Sequence, residues 1–232
     1  MQDPVTTTDS DQALCATHGL PGGHAPVAPT RFKKMRKAGL YDPAFERDAC
    51  GVGMVANIDG SAHHKLIEQA LEVLVNLGHR GATGSDPNTG DGAGILIQTP
   101  HSFFKRVTHE LGFDIPEAGR YGVGMVFLPQ EDDLRSRVEV EIVAALADEG
   151  LSVLGWRDVP TDPTAIGYLA REVMPVIRQV FIVEPGTSQN GADGDAFERR
   201  LYIARKGIER RVVDLTETVP EEDLDVFYVC SM

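Results

Sequence analysis

From residue 51 to the end of this 232-residue chain, short apolar runs alternate with longer stretches whose apolar residues recur every three or four positions. No other feature narrows the possible folds as much. A run of four to eight apolar residues reads as a strand, and three-and-four spacing reads as an amphipathic helix. Strands are predicted over 52–58, where Asp59-Gly60 supplies a turn, and over 95–98, 121–128, 151–159, 176–183 and 225–230. Helices are predicted over 65–78, 102–110, 131–149 and 197–208. In the first of these Leu66, Ile67, Ala70, Leu71, Leu74 and Leu77 share one stripe, and Gly78 fits its end. The third has acidic residues in its first turn, at the positive end of the helix dipole, and Gly150 at its stop. Its stripe runs through Leu134, Val138, Ile142, Ala145 and Leu146. Strands and helices interleaved in this way must cover one another's apolar sides, which predicts a layered α/β domain. Residues 79–94 and 184–194 are too rich in glycine and other breakers for regular structure and are read as loops.

Within this frame the residue that points to chemistry is Cys50, in Ala49-Cys50-Gly51-Val52-Gly53-Met54-Val55-Ala56. A free cysteine is usually just a small buried hydrophobe. Here Gly51 and Gly53 remove side chains beside it and permit backbone conformations that other residues resist. If cleavage placed Cys50 at the start of a mature chain, its own α-amine, with an ordinary pKa of about 7.7–8.0, would lie beside its sulfur and could serve as the base. The 79–94 loop offers a rival reading as a phosphate cradle. Gly90-Asp91-Gly92-Ala93-Gly94 lacks the third glycine at dinucleotide spacing and leads into a predicted strand rather than a helix, so the loop is better read as shaping the surroundings of Cys50.

Composition excludes several classes. The formal net charge is −13, and residues 1–49 hold six basic and six acidic residues, so the whole imbalance lies in the body of the chain. An acidic body is unsuited to a phosphate backbone, which is held by Lys and Arg. The basic cluster Arg31-Phe32-Lys33-Lys34-Met35-Arg36-Lys37 has no companion fold signal and is read as a solvated segment, not a nucleic-acid patch. Cysteines at 15, 50 and 230 offer neither C-x-x-C nor Cys/His ligand spacing, so no metal site is expected, and reduced thiols suit a cytoplasmic protein. There is no run of 18 apolar residues and no basic start followed by an apolar stretch, so neither a spanning helix nor a secretory signal is read. Residues 2–30 mix polar and breaking residues without periodicity and are read as flexible.

Several phrases, taken in order, resemble a known family. Leu40-Tyr41-Asp42-Pro43-Ala44-Phe45-Glu46-Arg47-Asp48-Ala49-Cys50-Gly51, then His79-Arg80-Gly81-Ala82 and Thr89-Gly90-Asp91-Gly92-Ala93-Gly94-Ile95-Leu96, are similar to the start of the glutamate synthase large subunit. The likeness continues through Gly155-Trp156-Arg157-Asp158-Val159-Pro160, Met174-Pro175-Val176-Ile177-Arg178-Gln179 and Asp225-Val226-Phe227-Tyr228-Val229. It covers essentially everything after residue 38 and nothing in the first thirty residues.

The resemblance implies a class II glutamine amidotransferase domain of the N-terminal nucleophile hydrolase type, an α+β fold built as an αββα sandwich of antiparallel sheets. It implies a leader or propeptide over 1–49 and the N-terminal portion of the amidotransferase domain over 50–232. Cys50 would be the nucleophile, with its α-amine as base after processing, and Arg80 would fix the geometry beside it. Glutamine is the implied substrate. The ammonia would pass to 2-oxoglutarate at a distant site that uses FMN and an iron–sulfur cluster, carried by the remaining domains of the large subunit, with a small reductase subunit as a possible partner. The family's substrate-gripping and oxyanion-hole segments are not among these 232 residues, so the sandwich is expected to be incomplete at its C-terminus. The chain is expected to be a fragment, poorly packed and inactive alone, and its substrate-binding residues are unassigned. Two other readings stand beside this one: a non-catalytic remnant or binding module, and a thiol hydrolase that pairs Cys50 with His79.

Overall fold

A computed structural model describes residues 51–83, 85–90, 92–186 and 194–232. Cys50 and the proposed leader over 1–49 lie outside the described residues, as does most of the 184–194 loop. Four strands form one antiparallel sheet in the order β2-β3-β1-β4. β1 (Tyr121–Leu128) and β3 (Val176–Val183) pair along their whole lengths, from Tyr121 opposite Val183 to Leu128 opposite Val176. β2 (Ser152–Asp158) flanks β3 with a register shift between Val153 and Gly155, and β4 (Tyr228–Ser231) flanks β1 with a shift between Met125 and Val126. Every neighbouring pair is antiparallel, which makes the fold α+β.

Strand alternation divides this sheet into two unlike faces. Val126 and Leu128 of β1, Val180 and Ile182 of β3 and Val229 of β4 point to one side, beneath α3 (Asp132–Asp148) and α5 (Gly194–Asp214). The five stripe residues predicted for α3 are its five buried residues. α5 answers with Phe197, Leu201, Ala204, Ile208 and Val212. At the start of α3 the Glu131 carboxylate accepts from the amides of Asp133 (3.0 Å) and Leu134 (2.5 Å), satisfying two of the helix's open donors. At its end Gly150 takes φ +70° and donates to Ala147 O, while Leu151 N–H reaches back to Leu146 O, a Schellman closure that requires the left-handed glycine. Arg211 of α5 lashes the helices together, donating to Glu141 at 3.0 Å and Asp148 at 2.7 Å on α3.

The opposite face is covered at one end. Phe104 of α2 (His101–Glu110) meets Phe181 edge-on, with ring centroids 5.2 Å apart, and Phe113, Ile115 and Tyr121 complete this smaller cluster. Farther along the same face Val123, Met125, Phe127 and Ile177 are only half-buried, and Tyr228 is exposed.

The predicted elements after residue 100 form with small changes in extent. α5 runs to Asp214 because its stripe continues through Val212, and β4 begins only at Tyr228 because Leu224–Phe227 closes a turn through Phe227 N–H to Leu224 O. Two short helices, α4 (Tyr168–Glu172) and α6 (Glu221–Leu224), were not predicted. Before residue 100 the outcome differs. The predicted helix forms as α1 (His64–Asn76), but 52–58 and 95–98 are not strands. Their side chains have strand character, yet no described segment pairs with them, and a strand exists only through its ladder. Val52, Met54 and Leu96 are 89, 90 and 90% exposed. Among the described residues, no helix is long and apolar enough to cross a membrane.

Candidate functional site

The first described residue, Gly51, follows Cys50 directly and lies against the end of α1. A Cβ built on Gly51 would stand 2.8 Å from Leu77 Cδ2 and 3.3 Å from Arg80 Cγ, and one on Gly53 would stand 2.5 Å from Val73 Cγ1. Two residues of extended chain advance about 6.6 Å and four residues of helix about 6 Å. The step from Gly51 to Gly53 therefore matches the step from Leu77 back to Val73, so this segment runs beside α1 in the opposite direction. Glycine at both positions is what permits the approach, because any side chain there would collide with Val73 or Leu77.

α1 stops at Asn76, and a 3-10 turn over Gly78–Arg80 follows. His79 Nδ1 lies 2.9 Å from Asn76 O, closing one of the free carbonyls at the helix end. Arg80 is exposed at the residue level, with its Cγ beneath Gly51. Of the residues singled out in the sequence, Arg80 thus stands next to Gly51, the neighbour of Cys50, His79 is engaged by the helix end, and Cys50 lies outside the described residues.

The chain after Arg80 doubles back. Thr83 and Gly90 form an antiparallel bridge, and Asp86 sits at the turn between them with Thr89 N–H donating to Asp86 O at 3.0 Å. Asp86 is 6% exposed, one of three buried polar or charged residues among those described. Thr89 Oγ1 donates to its Oδ2 at 2.8 Å, Leu169 N–H donates to the same oxygen at 3.3 Å, and Asn88 N–H donates to Oδ1 at 3.2 Å. Burial is the largest influence on this carboxyl and raises its pKa, but the hydrogen bonds from Thr89, Asn88, Leu169 and Tyr168 together hold it below the ordinary 3.8. Sequence reading placed Asp86 in the loop without a role. Nothing in its local pattern announces a partner 83 residues away.

No helix begins within 92–99, and α2 starts only after Pro100, so the glycine segment has no helix N-terminus to offer a phosphate. A cleft of about 560 Å³ lies elsewhere, between the end of β1, the start of α3 and residues 218–226, and includes none of Gly51, Arg80 or Asp86. It holds more carboxylates than bases and no cysteine, and its Thr218 hydroxyl is engaged with Arg137 and Leu215 O, so the arrangement around Gly51 is the better candidate. Among the described residues no group of three or more His, Cys, Asp or Glu side chains could hold a metal ion.

Comparison with known proteins bears on the same region. Residues 50–232 match the family described as glutamine amidotransferases class-II. The glutamate synthase [NADPH] large chain of Bacillus subtilis is 47% identical over 179 residues, covering 77% of this chain and 11% of that one. Ferredoxin-dependent glutamate synthase 2 of Synechocystis is 42% identical over 188 residues, covering 80% and 11%, and glutamate synthase [NADH] of Schizosaccharomyces pombe is 36% identical over 195 residues, covering 83% and 9%. The chain spans about a tenth of the length of the curated relatives it matches.

Proposed function

This chain belongs to the class-II glutamine amidotransferases, and from that membership we propose that it carries the glutaminase centre of a cytoplasmic glutamate synthase, releasing ammonia from the side-chain amide of glutamine. In this reading residues 1–49 are a leader whose removal makes Cys50 the N-terminal residue, and 50–232 belong to the amidotransferase domain. The observation that carries it is that the family match begins at Cys50 itself. The packing of Gly51 on Leu77 and Arg80 supports it, since the residue after the nucleophile then lies directly against the helix end that carries Arg80.

The chemistry follows from an N-terminal thiol. The α-amine takes the thiol proton, and the thiolate attacks the carboxamide carbon of glutamine. When the tetrahedral intermediate collapses, the C–N bond breaks and the amine's proton leaves with nitrogen as ammonia, giving a glutamyl thioester. Water, deprotonated by the same amine, adds to the thioester, and glutamate leaves as the thiol is restored. Arg80 serves by fixing the local geometry beside Gly51, a role suited to a planar group with several fixed donors. The contact of His79 with Asn76 O favours a structural role over a Cys50/His79 pair.

The half-covered sheet face, together with apolar segments 52–58 and 95–98, supports the finer reading of an αββα sandwich in which those segments belong to a second sheet. The named relatives use NADPH, ferredoxin or NADH. A domain shared across three donors is suited to the glutamine side of the reaction, not the reducing side. Transfer of the ammonia to 2-oxoglutarate would draw on FMN and an iron–sulfur cluster, with a small reductase subunit as a partner. In this reading Cys50 is the nucleophile and Cys15 belongs to the leader, which leaves Cys230 alone, too few thiolates to hold a cluster, and the glycine segment does not fit a flavin phosphate, so neither group is placed here. In the full-length protein, N-terminal sequencing should read Cys-Gly-Val-Gly, and Cys50→Ala should abolish glutamine-dependent synthesis while leaving ammonia-dependent synthesis in place. An active protein that still begins at Met1, or a Cys50→Ala protein that retains glutamine-dependent turnover, would overturn the proposal.

A further inference from the structure

Carboxylates are rarely buried unless their oxygens are satisfied, because a desolvated charge without partners is costly. Asp86 satisfies both oxygens, and it does so across a long sequence gap. Oδ1 stays within its own turn, on Asn88 N–H, whereas Oδ2 joins Thr89 Oγ1 to Leu169 N–H at the beginning of α4. Two further bonds run between the same segments: Ala170 N–H donates to Thr89 Oγ1 at 3.3 Å, and Gly167 N–H donates to Asn88 O at 2.8 Å. Gly167 is buried, and its φ of −69° is open to any residue. Space is what excludes other residues: a Cβ there would stand 2.0 Å from Asp86 Oδ2 and 2.4 Å from Thr89 Oγ1. The turn and α4 are therefore joined by a carboxylate seated where only glycine leaves room.

The other end of the same turn leads to the candidate site. Thr83 bridges Gly90, Gly90 lies on Ala82 O, and Ala82 is two residues from Arg80, whose Cγ underlies Gly51. We propose that Asp86 is a positioning residue, which by fixing the Asp86–Thr89 turn to the start of α4 holds Arg80 and the backbone beside Cys50 in the geometry that attack on glutamine needs. The inference rests on the glutaminase reading for its catalytic consequence and on hydrogen bonding alone for the clamp. A displacement of about 1 Å in such a support can cost on the order of 100-fold in rate.

The test pairs two substitutions on opposite sides of the contact in the full-length protein. Asp86→Ala removes the acceptor, and Gly167→Ala drives a methyl group into its place. Each should lower kcat for ammonia release from glutamine about 10- to 100-fold with a smaller change in KM, and the double variant should be no worse than the poorer single. Hydrogen exchange at the amides of Asn88, Gly167, Leu169 and Ala170 should quicken at least about tenfold in both, with the Val180 amide in β3 unchanged. Asp86→Asn keeps one oxygen and should fall between parent and Asp86→Ala, which preserves the test if the alanine variant does not fold. Faster exchange with unchanged kcat would reduce Asp86 to a structural tie and overturn the positioning role. Unchanged exchange in both variants would overturn the clamp. If the parent and Cys50→Ala release ammonia equally, the glutaminase reading falls and takes the positioning role with it, while the exchange rates still decide whether Asp86 holds the turn.

Discussion

α1 and α3 both carry apolar residues at three- and four-residue spacing, yet all five stripe residues of α3 are buried and α1 has no buried residue. The difference is in what each helix faces. α3 packs on a four-stranded sheet beside α5, and sheet and helix together present matching apolar surface, including Val126, Val180, Ile182, Ala204 and Ile208. α1 faces the extended segment at Gly51 and Gly53, whose lack of side chains lets backbone approach Val73 and Leu77 but provides little to bury against them. A stripe in the sequence specifies a helix and the side it will use, and the partner decides how much free energy that side returns. The region carrying the site is thus built for close backbone approach, and the region behind it for burial. Local opening concentrates where buried apolar contacts are few.

The strongest way to break this comparison is to truncate one stripe residue in each helix. Ile142, fully buried in α3, should cost about 2–5 kcal/mol on Ile142→Ala, through lost transfer energy and the cavity left behind. Leu71, 48% exposed in α1, should change stability by no more than about 0.5 kcal/mol on Leu71→Ala. Urea denaturation of both variants beside the parent chain measures the pair. Equal losses would mean that α1 is as well packed as α3, and the contrast would fail.

The same contrast explains what could be read in the sequence. Behind the site, pattern and partner agree: the α3 stripe was predicted residue by residue, and β1 and β3 were predicted end to end. Around the site they diverge. Residues 52–58 and 95–98 have the side chains of strands but no described ladder, because the signal reports burial preference and cannot supply a neighbour. α4 and α6 escaped because five and four residues are too short to show a helical period. Arg80 was singled out in the sequence through the phrase around it. Asp86 was not, since its meaning lies in Gly167–Ala170, and hydrogen bonds between residues 81 and 83 positions apart leave no local trace.

A second, smaller effect sharpens the comparison from the packed side. Arg178 of β3 reaches into the helix layer, where its Nη1 donates to Glu139 of α3 at 2.5 Å and its guanidinium lies 5.1 Å from the centre of the Trp156 ring. Asp158 stands 2.7 Å from Nε, adding charge attraction without an aligned hydrogen bond at that nitrogen. The Arg178 and Glu139 side chains are each 21% exposed, so water screens part of their attraction. Arg178→Ala should then cost about 1–3 kcal/mol, the range for leaving a partly buried charged partner unmatched. Arg178→Lys should recover part of that loss, because the charge returns while the planar stacking does not. Full recovery by lysine in the same denaturation assay would mean that charge alone ties β3 to α3.

The smallest effect expected is on the site side, and it depends on pH. The groups facing the Asp86 carboxyl are the Thr89 hydroxyl and the backbone amides of Asn88, Tyr168 and Leu169. Burial acts against the charged form, and these donors more than offset it, leaving the folded pKa below the ordinary 3.8. A carboxyl lowered on folding contributes stability that is fully present above its unfolded pKa and is lost as pH falls through the folded value. Above about pH 4 the turn should therefore remain fastened to α4, and its fastening should weaken only in stronger acid. The α3 stripe contains no titrating group, so its contribution should not follow the same curve. Amide proton shifts of Asn88 and Leu169, followed by NMR from pH 6 downward, should share one midpoint below 3.8. The Asn88 and Leu169 transitions should disappear together in Asp86→Asn. A shared midpoint at or above 3.8 would mean that the donors do not outweigh burial, and separate midpoints would mean that the two amides do not report on one carboxylate.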